Sequence, residues 1–201
     1  MGQYYKTIIL SDSVPEEGKQ ETVRLALSGH AYRNGLKLTE HSWIGNAFVE
    51  VIEWLISPKG MFHKSRIVWA GDYADSEPIV RQNLYHITNK YEEQDTYPHM
   101  IPPKDFKAET YHYIINHTKR EYVDKERAKA DAKDNTKDDY GEDIEYVVHP
   151  LPLLVAEGNG CGGGDYRGDN EELCGSWARD IISVETSIPT GFTELVCGFR
   201  E

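Results

Sequence analysis

The sequence predicts an α+β fold, a mainly antiparallel sheet with two or more helices packed on one face. Three observations predict it. The apolar patterning runs strands, helix, strand, helix, strands, not a one-to-one alternation of strand and helix. No repeat of about 20–50 residues is present, which excludes solenoids and propellers. The 201 residues, with four Trp, thirteen Tyr and five Phe, are enough for one sizeable core. That length fits a single domain over 1–201.

Taken in order, Gln3 to Ser11 reads as a strand, because Tyr4, Tyr5, Thr7, Ile8 and Ile9 are β-branched or aromatic. Asp12 to Gly18 is turn-rich, and Val23 to Leu27 alternates as a second strand. Asn34-Gly35 signals a turn into a short third strand, Leu36 to Thr39. The clearest helix follows. Ser42 is its expected N-cap, and Ile44, Ala47, Phe48, Val51, Ile52 and Leu55 share one face while Glu50 and Glu53 face away. Ser57-Pro58-Lys59-Gly60 ends it. Arg66 to Ala70 reads as a buried strand, and Ser76-Glu77-Pro78 as the start of a second helix with Ile79, Leu84 and Ile87 inward. Thr110 to Asn116 and Glu121 to Asp124 read as paired strands. Ser176 to Val184 and Thr193 to Phe199 supply the last two. Residues 125–143 are charged and poor in apolar side chains, and are expected as an exposed insertion outside the core.

Composition narrows the function. Lys and Arg number 22 against 34 Asp and Glu, a net charge of −12. Most of the surplus lies in 101–201, and no basic cluster offsets it. Such a surface repels phosphodiester backbones, so nucleic acid is excluded as a partner. An acidic face suits a basic protein surface or a cation. No apolar run approaches the roughly 18 residues of a membrane span, and Met1 to Lys6 has no secretory pattern. A cytoplasmic location is therefore expected, with no membrane partner. Cys161, Cys174 and Cys197 show no CxxC spacing and read as reduced thiols.

The most unusual segment is Gly158 to Asn170. Its glycines permit positive φ and close approach of a ligand. Successive backbone N–H groups in that geometry form an anion nest, and Arg167 would add a fork to a phosphate. Asn159, Gly160, Gly162, Gly163, Gly164 and Arg167 are thus the candidate ligand-binding residues. The spacing is neither a P-loop nor a dinucleotide fingerprint. The same segment admits a second reading, with Asp165 and Asp169 as hard oxygen ligands for a divalent cation. A third is a structural loop packed under an aromatic such as Trp177. Asp72 and Asp75 follow a buried strand, where sheet-end sites often lie. With Asp165 they are the candidate acid, base or metal-positioning groups. Glu40 and His41 adjoin a helix start, but neighbouring strand residues point to opposite faces. No Gly-x-Ser-x-Gly elbow and no His-Glu-x-x-His pattern is present.

Four segments together, Met1-Gly2-Gln3-Tyr4-Tyr5, Gly35 to Asn46, Trp69 to Asp75 and Gly158 to Arg179, resemble a group of uncharacterised proteins of bacteria and tailed phages. The group usually carries a basic residue between the glycines where this chain has Cys161. The resemblance implies a cytosolic, phage-encoded protein and no particular activity. The reading from the residues is a protein that binds a phosphate-bearing, nucleotide-like small molecule at the glycine-rich loop, with hydrolase activity as its extension. The alternative is an acidic factor that occupies a basic surface of a host protein.

Overall fold

The computed structural model describes residues 3–89, 100–133, 147–158 and 166–199. Strands β1 (Tyr5–Leu10), β2 (Val23–Ser28), β3 (Ser65–Gly71), β4 (Tyr113–Asn116), β5 (Glu121–Asp124), β6 (Ala156–Glu157), β7 (Ile181–Glu185) and β8 (Thr193–Glu194) form one sheet. Its order is β2-β1-β3-β7-β4-β5-β8, with β6 also paired to β3. All pairs are antiparallel except β3/β6 and β5/β8. The helices are α1 (Ala47–Ile56), α2 (Leu84–Ile87), α3 (Lys125–Lys133) and α4 (Pro150–Leu154). The fold is α+β, as the patterning predicts.

Both faces of the sheet's centre are covered. Every residue of β1 and β3 is buried, so successive side chains enter opposite cores. Tyr5, Ile9, Ile67 and Trp69 meet Phe48, Val51, Ile52 and Leu55 of α1, Ala128 of α3 and Leu151 of α4. Ile8, Leu10, Val68 and Ala70 meet Leu84 and Tyr85 of α2 on the other side. Each large side chain buried on α1 contributes about 1.5–3 kcal/mol. Lys6 is fully buried in the second core, where Nζ donates to Asn89 Oδ1 at 2.6 Å and lies 4.0 Å over the Tyr85 ring. Cys174 and Cys197 are buried, and burial pushes the Cys197 thiol up to about 12. Among the described residues no helix is long and apolar enough to cross a membrane.

Several boundaries differ from expectation. Leu36 to Thr39 makes a single bridge, Tyr4 to Lys37, and then a 3₁₀ turn over Leu38–Glu40 that points Leu38 into the core. Helix α1 starts later than expected, because Asn46 Oδ1 accepts the N–H groups of Phe48 and Val49. Ser42 instead turns back to donate to the Leu38 carbonyl. The second helix shrinks to Leu84–Ile87, capped by Asn83, and Ile79 is exposed. The first turns of the charged segment are not wholly external: Lys125 and Ala128 are buried. The last expected strand pairs only over Thr193–Glu194, while Cys197 and Phe199 are buried without it.

Candidate functional site

Two places bring chemistry-bearing side chains together. The first is the end of β3. Its final residues pair in parallel with β6, Trp69 opposite Ala156 and Ala70 opposite Glu157. Its opening residues pair antiparallel with β7 along the same edge. Arg179 lies where the partner changes. Its N–H donates to the Ile67 carbonyl at 2.8 Å, and its φ of 66° is left-handed, a costly conformation for a residue with a Cβ.

Three carboxylates from three segments converge on this arginine. Nε and Nη2 donate to the two oxygens of Glu157, each at 2.6 Å. Nη2 and Nη1 donate to Glu77 at 2.5 and 3.3 Å. Nη1 stands 3.6 Å from Glu21, which Arg66 grips with two bonds of 2.7 and 2.9 Å. Burial opposes the charge on Arg179, but the hydrogen bonds from Glu157 and Glu77 outweigh it and push its pKa up. One guanidinium thus holds the 11–22 loop, the turn after β3 and the stem of the glycine-rich segment.

Of the residues picked from sequence, Asp72 lies in the turn directly after β3. The Asp72 N–H donates to the Tyr4 carbonyl and its Oδ1 accepts the Tyr4 N–H, both at 3.0 Å. This expected acid therefore clamps β1 to the turn after β3. Asn83 Nδ2 braces the same turn through the carbonyls of Asp72 and Ala74. Asp75 is exposed, as are Arg167 and Asp169. Tyr166 donates to the Asp169 carbonyl at 2.7 Å and packs edge-on against Phe199, 5.5 Å away. Asn159, Gly160, Gly162, Gly163, Gly164 and Asp165 lie outside the described residues. The chain enters that segment beside Gly71, where an added Cβ would stand 2.9 Å from the Glu157 carbonyl oxygen. Among the described residues no three His, Cys, Asp or Glu side chains are grouped to hold a metal ion.

The second place, over α1, was not singled out from the sequence. A cleft of about 180 Å³ opens between α1, the turn before β4, the start of α3 and His149. Glu50 and Glu53, one helical turn apart, both line it. Glu53, expected to face outward, is 2% exposed. Lys125 Nζ donates to Glu53 Oε1 at 2.6 Å and to the Ala108 carbonyl at 3.0 Å. His149 Nε2 lies 3.2 Å from the same oxygen, an ion-pair distance, and is not aligned as a hydrogen bond. His149 Nδ1 accepts the Leu151 N–H and caps α4, which leaves the neutral ring's proton on Nε2.

The two glutamates are pushed in opposite directions. Burial raises the proton affinity of Glu53, but His149 and Lys125 more than reverse this and lower its pKa. Burial raises that of Glu50, and the charges of Glu53 and Glu109 raise it further. The signal for this site was non-local: Lys125 is 72 positions from Glu53. No family model, no curated protein and no solved structure matches the chain.

Proposed function

We propose that this chain binds a small neutral or cationic polar molecule in the cleft over α1 and moves a proton on it, with Glu50 as the acid. One observation carries the reading: two carboxylates one turn apart in a shared cleft, one with its pKa raised by burial and like charge, the other with its pKa lowered by Lys125 and His149. Opposed environments of this kind separate acid and base roles. Glu53 would supply the fixed negative charge, with Lys125 and His149 as positioning residues. Glu109 and Glu126 add acid at the rim against Lys129, which disfavours an anionic ligand. Carboxyl-carbon NMR titration is the test. Glu50 is expected to titrate above the ordinary glutamate range and Glu53 below it. A ligand found by fragment screening should shift the Glu50 signal, and Glu50→Gln should abolish turnover by about 100-fold or more without loss of fold. Glu50 titrating at or below the ordinary range would remove the assignment.

A second reading rests on the sheet end. Strands β3 and β6 run parallel and release the chain side by side at Gly71 and Gly158. Carboxyl ends of parallel strands are the usual place for ligands in open α/β sheets. This supports a phosphate-bearing, nucleotide-like ligand held with Arg167, and Arg167→Ala should weaken its binding in calorimetric titration.

A further inference from the structure

Across the 107–111 segment from the acidic cleft, α1 presents Trp54 to a different cavity, of about 230 Å³. Trp54, Phe106 and Tyr111 form its aromatic lining. Phe106 stacks on Tyr111 with centroids 5.5 Å apart and planes 21° apart. Tyr111 is buried, whereas Trp54 and Phe106 are only partly covered and keep ring surface open. The wall is built from consecutive tight turns. The N–H of Phe106 donates to the Pro103 carbonyl, that of Thr110 to Lys107, and that of Tyr111 to Ala108. A cavity with such a wall is largely pre-formed, so little ordering opposes binding.

The rim has the opposite electrostatic character to the cleft over Glu50. Lys59 and Lys107 line it and are exposed, with Asp105 the lone acid in the lining. Among the described residues neither lysine has an ion-pair partner, in a chain whose net charge is −12. The cavity holds the volume of about eight water molecules, enough for a flat bicyclic ring and too small for a peptide chain. Rings stack on Trp and Phe, and an anionic substituent would reach the ammonium groups.

We propose that this cavity binds a flat aromatic ring carrying one anionic group, a phosphate or a carboxylate. The site is separate from the acid–base reading, which the Glu50 titration tests on its own. The probes are 2-naphthyl phosphate, 2-naphthoate, 2-naphthol and inorganic phosphate, added to the full-length protein labelled at its Trp indole N–H groups. The Trp54 signal is assigned by its loss in Trp54→Phe. Trp69 and Trp177 are fully buried and serve as internal controls. At least one of the two naphthyl anions is expected to move the Trp54 signal saturably, with Kd at or below about 1 mM. The anion that binds more tightly identifies the natural anionic group. Naphthol should bind about tenfold more weakly, and inorganic phosphate should leave the signal in place. Exposed Lys59→Glu and Lys107→Glu should each weaken the anion about fivefold or more and leave naphthol unchanged. Naphthol binding as tightly as both anions, or no saturable movement of the Trp54 signal with either anion, would overturn the proposal.

Discussion

Arg179→Met is the most informative single change. It removes two hydrogen bonds from Glu157, two from Glu77 and a 3.6 Å contact from Glu21. The three acids do not suffer equally. Glu157 has 23% of its side chain exposed and can rehydrate, and Glu21 keeps both bonds to Arg66. Glu77, with 3% of its side chain exposed, is left as an unpaired buried charge. Removing one partner of a buried pair costs about 3–5 kcal/mol. Arg179 is 26% exposed, which places the expected loss near the lower end, about 3 kcal/mol. In a chain of this length that lowers Tm by roughly 6–12 °C. Urea denaturation followed by Trp fluorescence and by circular dichroism reads it directly. Arg179→Met combined with Glu77→Met should recover more than half of the loss, because no charge is then stranded. An unpaired buried carboxylate binds a proton more tightly folded than unfolded, so the single variant's deficit should narrow as pH falls from 7 to about 5. A loss below about 1 kcal/mol, unchanged by Glu77→Met, would show that the network is solvated like a surface ion pair and would refute the argument.

Other changes test other parts of the fold. Burial lowers the His41 pKa to about 4, with the Gly35 carbonyl as a weaker opposing influence. The unfolded chain takes up that proton first, so stability is full above about pH 6.5 and falls by roughly 3 kcal/mol on acidification to pH 4. Denaturation midpoints across that range should fall less steeply for His41→Gln. Lys125→Met leaves Glu53 facing only His149 and should cost about 3–5 kcal/mol in urea denaturation, with partial recovery in Lys125→Met/Glu53→Leu. Gly71→Ala would place a Cβ 2.7 Å from Gln3 Nε2 and 2.9 Å from the Glu157 carbonyl oxygen. The backbone oxygen cannot swing away, so a calorimetric loss of about 1–3 kcal/mol is expected.

Much of the fold was legible because it is locally encoded. Strands β1 and β3 carry dense runs of β-branched and aromatic residues, β2 carries apolar side chains at Val23, Leu25 and Leu27, and α1 is apolar at all positions but Glu50 and Glu53. Where reading failed, a distant contact overrode the local signal. Ser42 satisfied the rule for a helix cap, but its hydroxyl is used by Leu38 and Asn46 lay better placed. Pro78 marked a helix start, yet Glu77 is drawn to Arg179, and the helix begins only at Leu84 after the Asn83 cap. The sheet end was found as a place, because an acid after a buried strand is a local pattern. The use of Asp72 was not, because its partner is Tyr4, 68 positions earlier. Glu53 was read as solvent-facing by residue type alone. Nothing within one turn of it announces Lys125 or His149.

Both candidate regions follow one electrostatic rule. An acidic chain that buries carboxylates must place cations against them, and here the buried Arg66 and Lys125 and the partly exposed Arg179 serve that purpose. Around Arg66 and Arg179 three carboxylates meet two guanidiniums, and over α1 Glu53 meets one ammonium and one imidazole. The first arrangement commits four of the five Arg179 N–H donors to Glu157 and Glu77 and holds Glu21 nearby, so it fixes where the chain leaves β3 and β6. In the second, the ammonium and imidazole lower the pKa of Glu53, while at Glu50 burial and the repulsion of Glu53 and Glu109 outweigh the attraction of the same two groups. A partly buried acid whose pKa is raised, beside a carboxylate whose pKa is lowered, can give a proton to a ligand and recover it. A guanidinium held among three carboxylates cannot do either. That contrast separates the scaffolding of the Arg179 network from the acid–base chemistry proposed for the Glu50 cleft.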